Sequence, residues 1–392
     1  MQNKKIGILS FYYPVETSPT IKSIISYITE CGYNFDLIVE HLDKEKSLDV
    51  LKSINIKQLT PVWICFLKVK LLKLLRIPLL FSNRIVNFYL KIVSRVEKRI
   101  GAKKLKKFVN DYDWVFCIEA TSLITLSMTD YSLARTIYFS LECEQIFLQY
   151  EYEYVRSILT KCLFCVTQSE KRGEGLNNYF KVDLNYEYLP VSRSPIVAKQ
   201  IAEKKNKNIK LIYSGYFAPW ACLKEVVNAY SLLNDHENIT LILQGHYPGK
   251  EDYLREIISL TKKYNRIQID TNFYNDEEHF EYLSNCNIGI AFYKSPTDGP
   301  NWENMLFSSG KIANYLWAGL GILTNIKDPA LSQPPFLYIE DITHQNIQQC
   351  VEFYKENMHL FQKEAYKFAN KYYNSYKFLD VILKKVENEL EN

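Results

Sequence analysis

The chain has 392 residues, 48 basic and 44 acidic side chains, a formal charge of +4, and 47% hydrophobic and 14% aromatic residues. Near-balanced charge argues against general nucleic-acid binding, the apolar content against disorder, and the length for two domains. Nine cysteines, an odd number set mostly in apolar runs such as Val115 to Ile118, fit buried thiols in a reducing compartment rather than a disulfide framework.

The opening MQNKKIGILSFYYP carries charge without the long apolar stretch of a secretion signal. No apolar run approaches the roughly 20 residues that span a bilayer. A cytoplasmic protein is expected. Ile6–Phe11 reads as a strand, Tyr12–Thr20 as a loop, Ile21–Cys31 as a helix and Asn34–Glu40 as a second strand. This is the start of a doubly wound α/β sheet, in which ligands lie beyond the carboxyl ends of the strands. The loop lacks G-x-G-x-x-G, so no dinucleotide cofactor is expected.

From Lys68 to Lys107 there are thirteen lysines and arginines against one acid, Glu97. Ile85, Phe88, Ile92, Val96 and Ile100 are spaced to line one helical face, with Arg84, Lys91, Arg95 and Lys98 on the other. Together with Trp63, Phe66 and Leu67, the segment 63–107 reads either as a helix on an anionic membrane surface or as a core helix with a basic solvent face. Strands follow at Trp114–Glu119, Thr136–Ser140 and Cys162–Gln168. Their ends would present Glu119, then Glu142 and Glu144, to one crevice. Asp111-Tyr112-Asp113 spells a D-x-D but precedes a strand, so it reads as a turn, and no metal site is expected. The histidines form no ligand-spaced group, and only His246 falls near a site proposed below. Pro190–Asn208 reads as the linker, between domains at 1–195 and 205–365.

A second series begins at Ile209. Strands are expected at Ile209–Ser214, Thr240–Gln244, Ile267–Asp270 and Ile288–Phe292, alternating with helices at Leu223–Leu233, Asp252–Tyr264 and Glu277–Asn285. The stretch Asp298–Asn325 then gives a loop, a helix start at Ser308-Ser309-Gly310, a helix closed by Ala318-Gly319, and a strand. Free N–H groups and about half a positive charge gather at a helix start. Lys311 adds a full charge there, which makes sense beside an anion; the alternative is a solvated lysine. The terminal region from Gln348 reads as helical.

Three stretches carry a resemblance. Ile209–Ala229 resembles the strand-Gly-loop-helix that opens the nucleotide-sugar domain of GT-B glycosyltransferases. Ile267–Phe292 resembles the strand, acidic helix and strand that follow. Lys311–Ile322 resembles the K-x-x-E-Y-x-x-x-G-x-P-V segment of the large retaining family that builds bacterial surface glycans such as capsule or lipopolysaccharide. The resemblance implies two Rossmann-like domains, with 366–392 returning to the N-terminal domain. It implies a nucleotide-diphosphate sugar as co-substrate, a lipid-linked or growing saccharide as acceptor, and metal-independent, retaining transfer. It places Gly215, Tyr216, Ser308, Ser309, Gly310 and Lys311 at the donor diphosphate, Gly245 where backbone approaches the donor, and Phe273 and Tyr274 near the base. Asn314 stands where a Glu usually binds ribose, Glu303 is the nearest carboxylate to the family's other Glu, and Lys224 lies one turn beyond the usual Lys. Tyr13, Thr17, Ser18, Glu119 and Glu142 would face the acceptor. The alternatives are a non-catalytic partner subunit, a nucleotide-sugar 2-epimerase or a phosphorylase of the same fold. The implied location is the cytoplasm, at the inner face of the plasma membrane.

Overall fold

The computed structural model describes residues 4–11, 15, 18–40, 54–59, 95–141, 152–192, 208–233, 238–245, 251–294, 305–329, 331 and 334–391. The chain divides into two compact units, Met1–Leu189 with Lys377–Asn392, and Pro190–Tyr376.

The first unit contains β1 (Lys5–Ser10), α1 (Pro19–Glu30), β2 (Asn34–Val39), β3 (Asn55–Gln58), β4 (Trp114–Ile118), α2 (Glu119–Ser127), β5 (Thr136–Ser140), α3 (Tyr152–Leu159), β6 (Phe164–Thr167), α4 (Glu170–Phe180) and β7 (Tyr186–Tyr188). The seven strands are parallel in the order β3-β2-β1-β4-β5-β6-β7. Helices can cover both faces of such a sheet, which is why β4 and β5 are buried along their whole length. β1 lies between β2 and β4, with Ile8 opposite both Leu37 and Phe116.

The second unit contains β8 (Ile209–Ser214), α5 (Leu223–Ser231), β9 (Ile239–Gln244), α6 (Glu251–Thr261), β10 (Ile267–Asp270), α7 (Asp276–Ser284), β11 (Ile288–Ala291), α8 (Met305–Ser308), α9 (Gly310–Trp317), β12 (Gly321–Thr324), β13 (Phe336–Tyr338) and α10 (His344–Tyr372). Its parallel order is β10-β9-β8-β11-β12-β13. α7 starts on a full capping box, in which Asn275 accepts from Glu278 N and Glu278 accepts from Asn275 N. Ala365, Ala369 and Tyr373 pack with Leu306, Leu316 and Phe336, so the chain stays in this unit well past residue 365. A last helix, α11 (Ser375–Glu391), places Leu379, Ile382, Leu383 and Val386 in the core of the first unit beside Ile21, Ile24, Ile28 and Trp114. Among the described residues no helix is long and apolar enough to cross a membrane.

Two sequence expectations change here. Of the expected amphipathic face, Ile85, Phe88 and Ile92 lie outside the described residues, as does the segment through residue 94. In the helical stretch 95–105, Val96 is exposed while Glu97, Gly101, Ala102 and Leu105 turn inward. The buried stripe follows i, i+4, i+8 from 97, one residue out of phase with the apolar count. The strand expected to end at Glu119 stops at Ile118, because Glu119 takes a positive φ of 66° and begins α2.

Candidate functional site

In the second sheet the winding reverses between β8 and β11. Ligands of doubly wound sheets bind beyond the carboxyl ends of the strands at such a point. β8 ends there in Ser214-Gly215, and β9 beside it ends in Gln244-Gly245. Gly215 N donates to Gln244 O (3.0 Å) and Gly245 N to Asp270 O (2.9 Å). Gly245 has φ +140°, and a Cβ on it would lie 1.8 Å from Gly215 O. Only glycine permits this backbone approach.

α9 is locked onto the same strand ends. The Tyr315 ring lies on Gly289 so closely that a Cβ there would sit 2.2 Å from it. Ser214 N donates to Tyr315 Oη at 2.7 Å. Ser309 caps the helix, accepting from Ile312 N at 3.4 Å, and its hydroxyl is bonded to that of Tyr293. Lys311, one turn before Tyr315, is therefore carried to the switch point. A Cβ on Gly215 would lie 3.5 Å from Lys311 Cε.

The ammonium is enclosed by rings. Nζ lies 4.4 Å from the centroid of Tyr213, 4.8 Å from Tyr293 and 4.9 Å from Trp220. Trp220 and Tyr293 are parallel, tilted by 1°. The stem of Lys311 is half-buried, but Nζ is sealed from solvent and has no hydrogen-bond partner. Burial pulls its pKa down to about 7, with the nearby Cys222 acting weakly the other way. One turn on, Asn314 Oδ1 is also buried without a partner. A donor and an acceptor from one helix turn are thus left unfinished.

A polar chain runs beneath the strand ends. Ser214 Oγ donates to Gln244 Oε1 (2.6 Å) and lies 2.8 Å from His279 Nε2, and Gln244 Nε2 donates to Asn272 O (3.1 Å). Beyond it the Asp270 carboxylate accepts from Tyr274 Oη (2.6 Å) and Asn272 N (2.9 Å). Burial works to raise the Asp270 pKa, but these bonds and one from Tyr282 bring it below the usual value.

The structure therefore brings together Gly215, Gly245, Ser309, Gly310, Lys311 and Asn314. Ser308 ends α8 just ahead of the cap. Phe273, 69% exposed, and Tyr216, 52% exposed, follow the ends of β10 and β8. Tyr274 is engaged with Asp270 and stacks on Tyr282. Lys224 pairs with Glu256 of α6 and lies over Tyr253, on the side of α5 that faces its neighbouring helix. His279, from α7, also meets these strand ends, and His246 lies outside the described residues. The aromatic enclosure of Tyr213, Trp220 and Tyr293 went unread in the sequence. Its signal was an aromatic at or just past the end of two apolar strands, and a tryptophan in the intervening loop. Glu303 lies outside the described residues.

In the first unit the winding reverses between β1 and β4, where Glu119 sits. Glu119 Oε1 accepts from Leu141 N (2.8 Å), and Arg172 Nη1 donates to Leu141 O (2.7 Å) and to Gln168. Ser18 caps α1, accepting from Ile21 N, and is buried. Tyr13, Thr17, Glu142 and Glu144 lie outside the described residues. Asp111 closes a 3-10 turn and Asp113 accepts from Lys5 N (2.6 Å), so the D-x-D is a turn that fastens β1. Among the described residues no group of three or more His, Cys, Asp or Glu could hold a metal ion.

No family model and no curated protein matches the chain. Solved structures do. Anabaena HepE in complex with UDP and glucose is similar with a TM-score of 0.68 at 12% identity, over 98% of this chain and 100% of that one. A glycosyltransferase from Rickettsia africae is similar with a TM-score of 0.64 at 14% identity, over the whole of both chains. An α,α-trehalose-phosphate synthase from Burkholderia xenovorans in complex with glucose-6-phosphate gives 0.65 at 9% identity, over 98% and 100%. With two parallel Rossmann-like sheets of seven and six strands, the chain has the GT-B fold of these glycosyltransferases.

Proposed function

We propose that this chain is a glycosyltransferase that moves a sugar from a nucleoside diphosphate sugar to a lipid-linked or growing saccharide in bacterial surface polysaccharide synthesis. The observation that carries this reading is Lys311 Nζ: a buried amine with no acceptor, in the first turn of a helix, at the switch point of a GT-B sheet. Departure of the nucleoside diphosphate creates negative charge. Lys311 and the free N–H groups of α9 would stabilise that charge in a site shielded from water. The bare backbone at Gly215 and Gly245 lets the diphosphate approach closely. Phe273 offers its exposed face to the base, and Asn314 Oδ1 accepts from a ribose hydroxyl. Glu119, with Tyr13, Thr17 and Glu142, belongs on the acceptor side. Transfer is metal-independent and retaining in this reading. The protein works in the cytoplasm, and the basic segment 63–107 meets the anionic inner face of the plasma membrane.

A second reading is a non-catalytic partner subunit with the same fold. The engagement of Lys224 with Glu256, and the presence of Tyr216 and Asn314 where the family has Arg and Glu, favour it. Calorimetry with UDP and GDP, followed by hydrolysis of a panel of nucleotide sugars, separates the two. The enzyme reading expects heat with one nucleotide and release of one sugar, both lost in Lys311→Ala with the fold intact. A chain that binds neither nucleotide is the subunit.

A further inference from the structure

A lysine already paired with an anion would have an acceptor within reach, and Lys311 has none. Its Nζ faces π surfaces on three sides. The titratable groups packed around it are the phenols of Tyr213 on β8, Tyr293 after β11 and Tyr315 on α9, and the thiol of Cys222 ahead of α5. Burial raises all four, Cys222 to about 11, so each stays neutral at physiological pH. Glu225 and Lys294 act on Cys222 with opposite signs. Among the described residues no anion therefore stands opposite the amine. The ring quadrupoles recover part of the cost of a sealed ammonium. The remainder is a desolvation cost that favours the neutral amine, in keeping with its lowered pKa.

We propose that Lys311 takes up a proton as the diphosphate of a nucleotide sugar meets it, so that donor binding and proton uptake are one event. Asn314 Oδ1, one turn on, accepts a hydroxyl of the same ligand. The inference rests on the donor reading above and specifies how that site handles charge. The step balances simply: a solvent proton joins the amine lone pair, and no bond of the sugar breaks. The ammonium formed is then in place, next to the oxygens that gain charge when the sugar leaves. A neutral resting amine also spares the empty site a buried unpaired charge.

The test is titration calorimetry of the full chain with UDP-glucose and with GDP-mannose, whose diphosphate diesters do not themselves titrate near neutrality. Each titration is run at about pH 6 and about pH 8 in buffers of different ionisation enthalpy. Proton uptake close to one per site is expected at the higher pH and close to none at the lower. Affinity should weaken by up to about tenfold per pH unit above neutrality. Lys311→Met fills the same apolar enclosure without an amine and should lose the uptake. Lys311→Arg, charged throughout, should bind without uptake. Binding with no pH-dependent uptake, or uptake that persists in Lys311→Met, overturns the inference and leaves the donor reading standing. Absence of binding by both nucleotide sugars at either pH overturns both. If either variant fails to fold, the wild-type buffer series alone still decides.

Discussion

The two sheets are wound alike, and the place where the winding reverses holds a buried ionisable residue in each. At the end of β4 it is Glu119, and in the turn of α9 that follows β11 it is Lys311. Their surroundings differ. Glu119 accepts from Leu141 N, and Arg172 holds the carbonyl of the same residue, so that corner is fastened by the protein's own groups. Among the described residues Lys311 Nζ faces ring surfaces, and neither it nor Asn314 Oδ1 beside it has a hydrogen-bond partner. Topology makes two equivalent corners: at the first, Glu119 Oε1 is engaged although its Oε2 is buried without a hydrogen bond, whereas at the second Lys311 Nζ has no acceptor at all. A buried polar group that stays unpaired costs about 1–3 kcal/mol. That cost is what a ligand at the second corner would remove.

The contrast can be broken or sharpened by substitution. The largest effect is expected from Gly245→Ala, whose methyl would collide with Gly215 O and force an unfavourable φ. Denaturant unfolding should show a loss of about 3 kcal/mol or more, together with loss of nucleotide binding. A variant of near wild-type stability would mean that the strand ends are slack. Next, Glu119→Ala leaves Leu141 N without its acceptor, and chemical denaturation should register a loss of about 1–3 kcal/mol with donor affinity unchanged. If stability held while turnover collapsed, Glu119 would be a group that touches the acceptor rather than a fastening.

The smallest effect concerns Lys311 and pH. The unfolded chain holds this proton up to about 10.5, whereas the folded chain releases it near 7. Between those values the unfolded state binds more protons, so stability rises with pH. The contribution is about 1 kcal/mol per pH unit. Thermal unfolding of wild type against Lys311→Met between pH 7 and 9 isolates it. The Met variant should be the more stable at pH 7, and the gap should close as pH rises. Parallel curves would mean that the amine is already charged in the folded protein.

Much of this plan was legible beforehand. Runs such as Trp114–Ile118 and Ile288–Phe292 are continuously apolar, which only a strand covered on both faces requires. Glycines at 215 and 245 mark the strand ends. β3, β7 and β13 were not legible, being three- or four-residue outer strands with little periodicity to detect. The site divided in the same way. Gly215, Ser309 and Lys311 could be placed because a loop glycine, a helix cap and a charge are local signals. The enclosure of Tyr213, Trp220 and Tyr293 depends on three segments converging, and a chain with 30 tyrosines gives no reason to choose two of them. The pairing of Lys224 with Glu256 was hidden for the same reason, since the partner comes from a neighbouring helix.

α11 contributes Leu379, Ile382, Leu383 and Val386 to a core whose other members come from the first 189 residues. During synthesis the amino-terminal lobe therefore emerges early with one apolar flank bare. It can be completed only once almost the entire polypeptide has left the ribosome. The carboxyl-terminal lobe, whose core lies within 190–376, suffers no such delay. In this protein the half made first is the half finished last, and chaperones would meet it as an exposed patch around Ile21, Ile24 and Ile28.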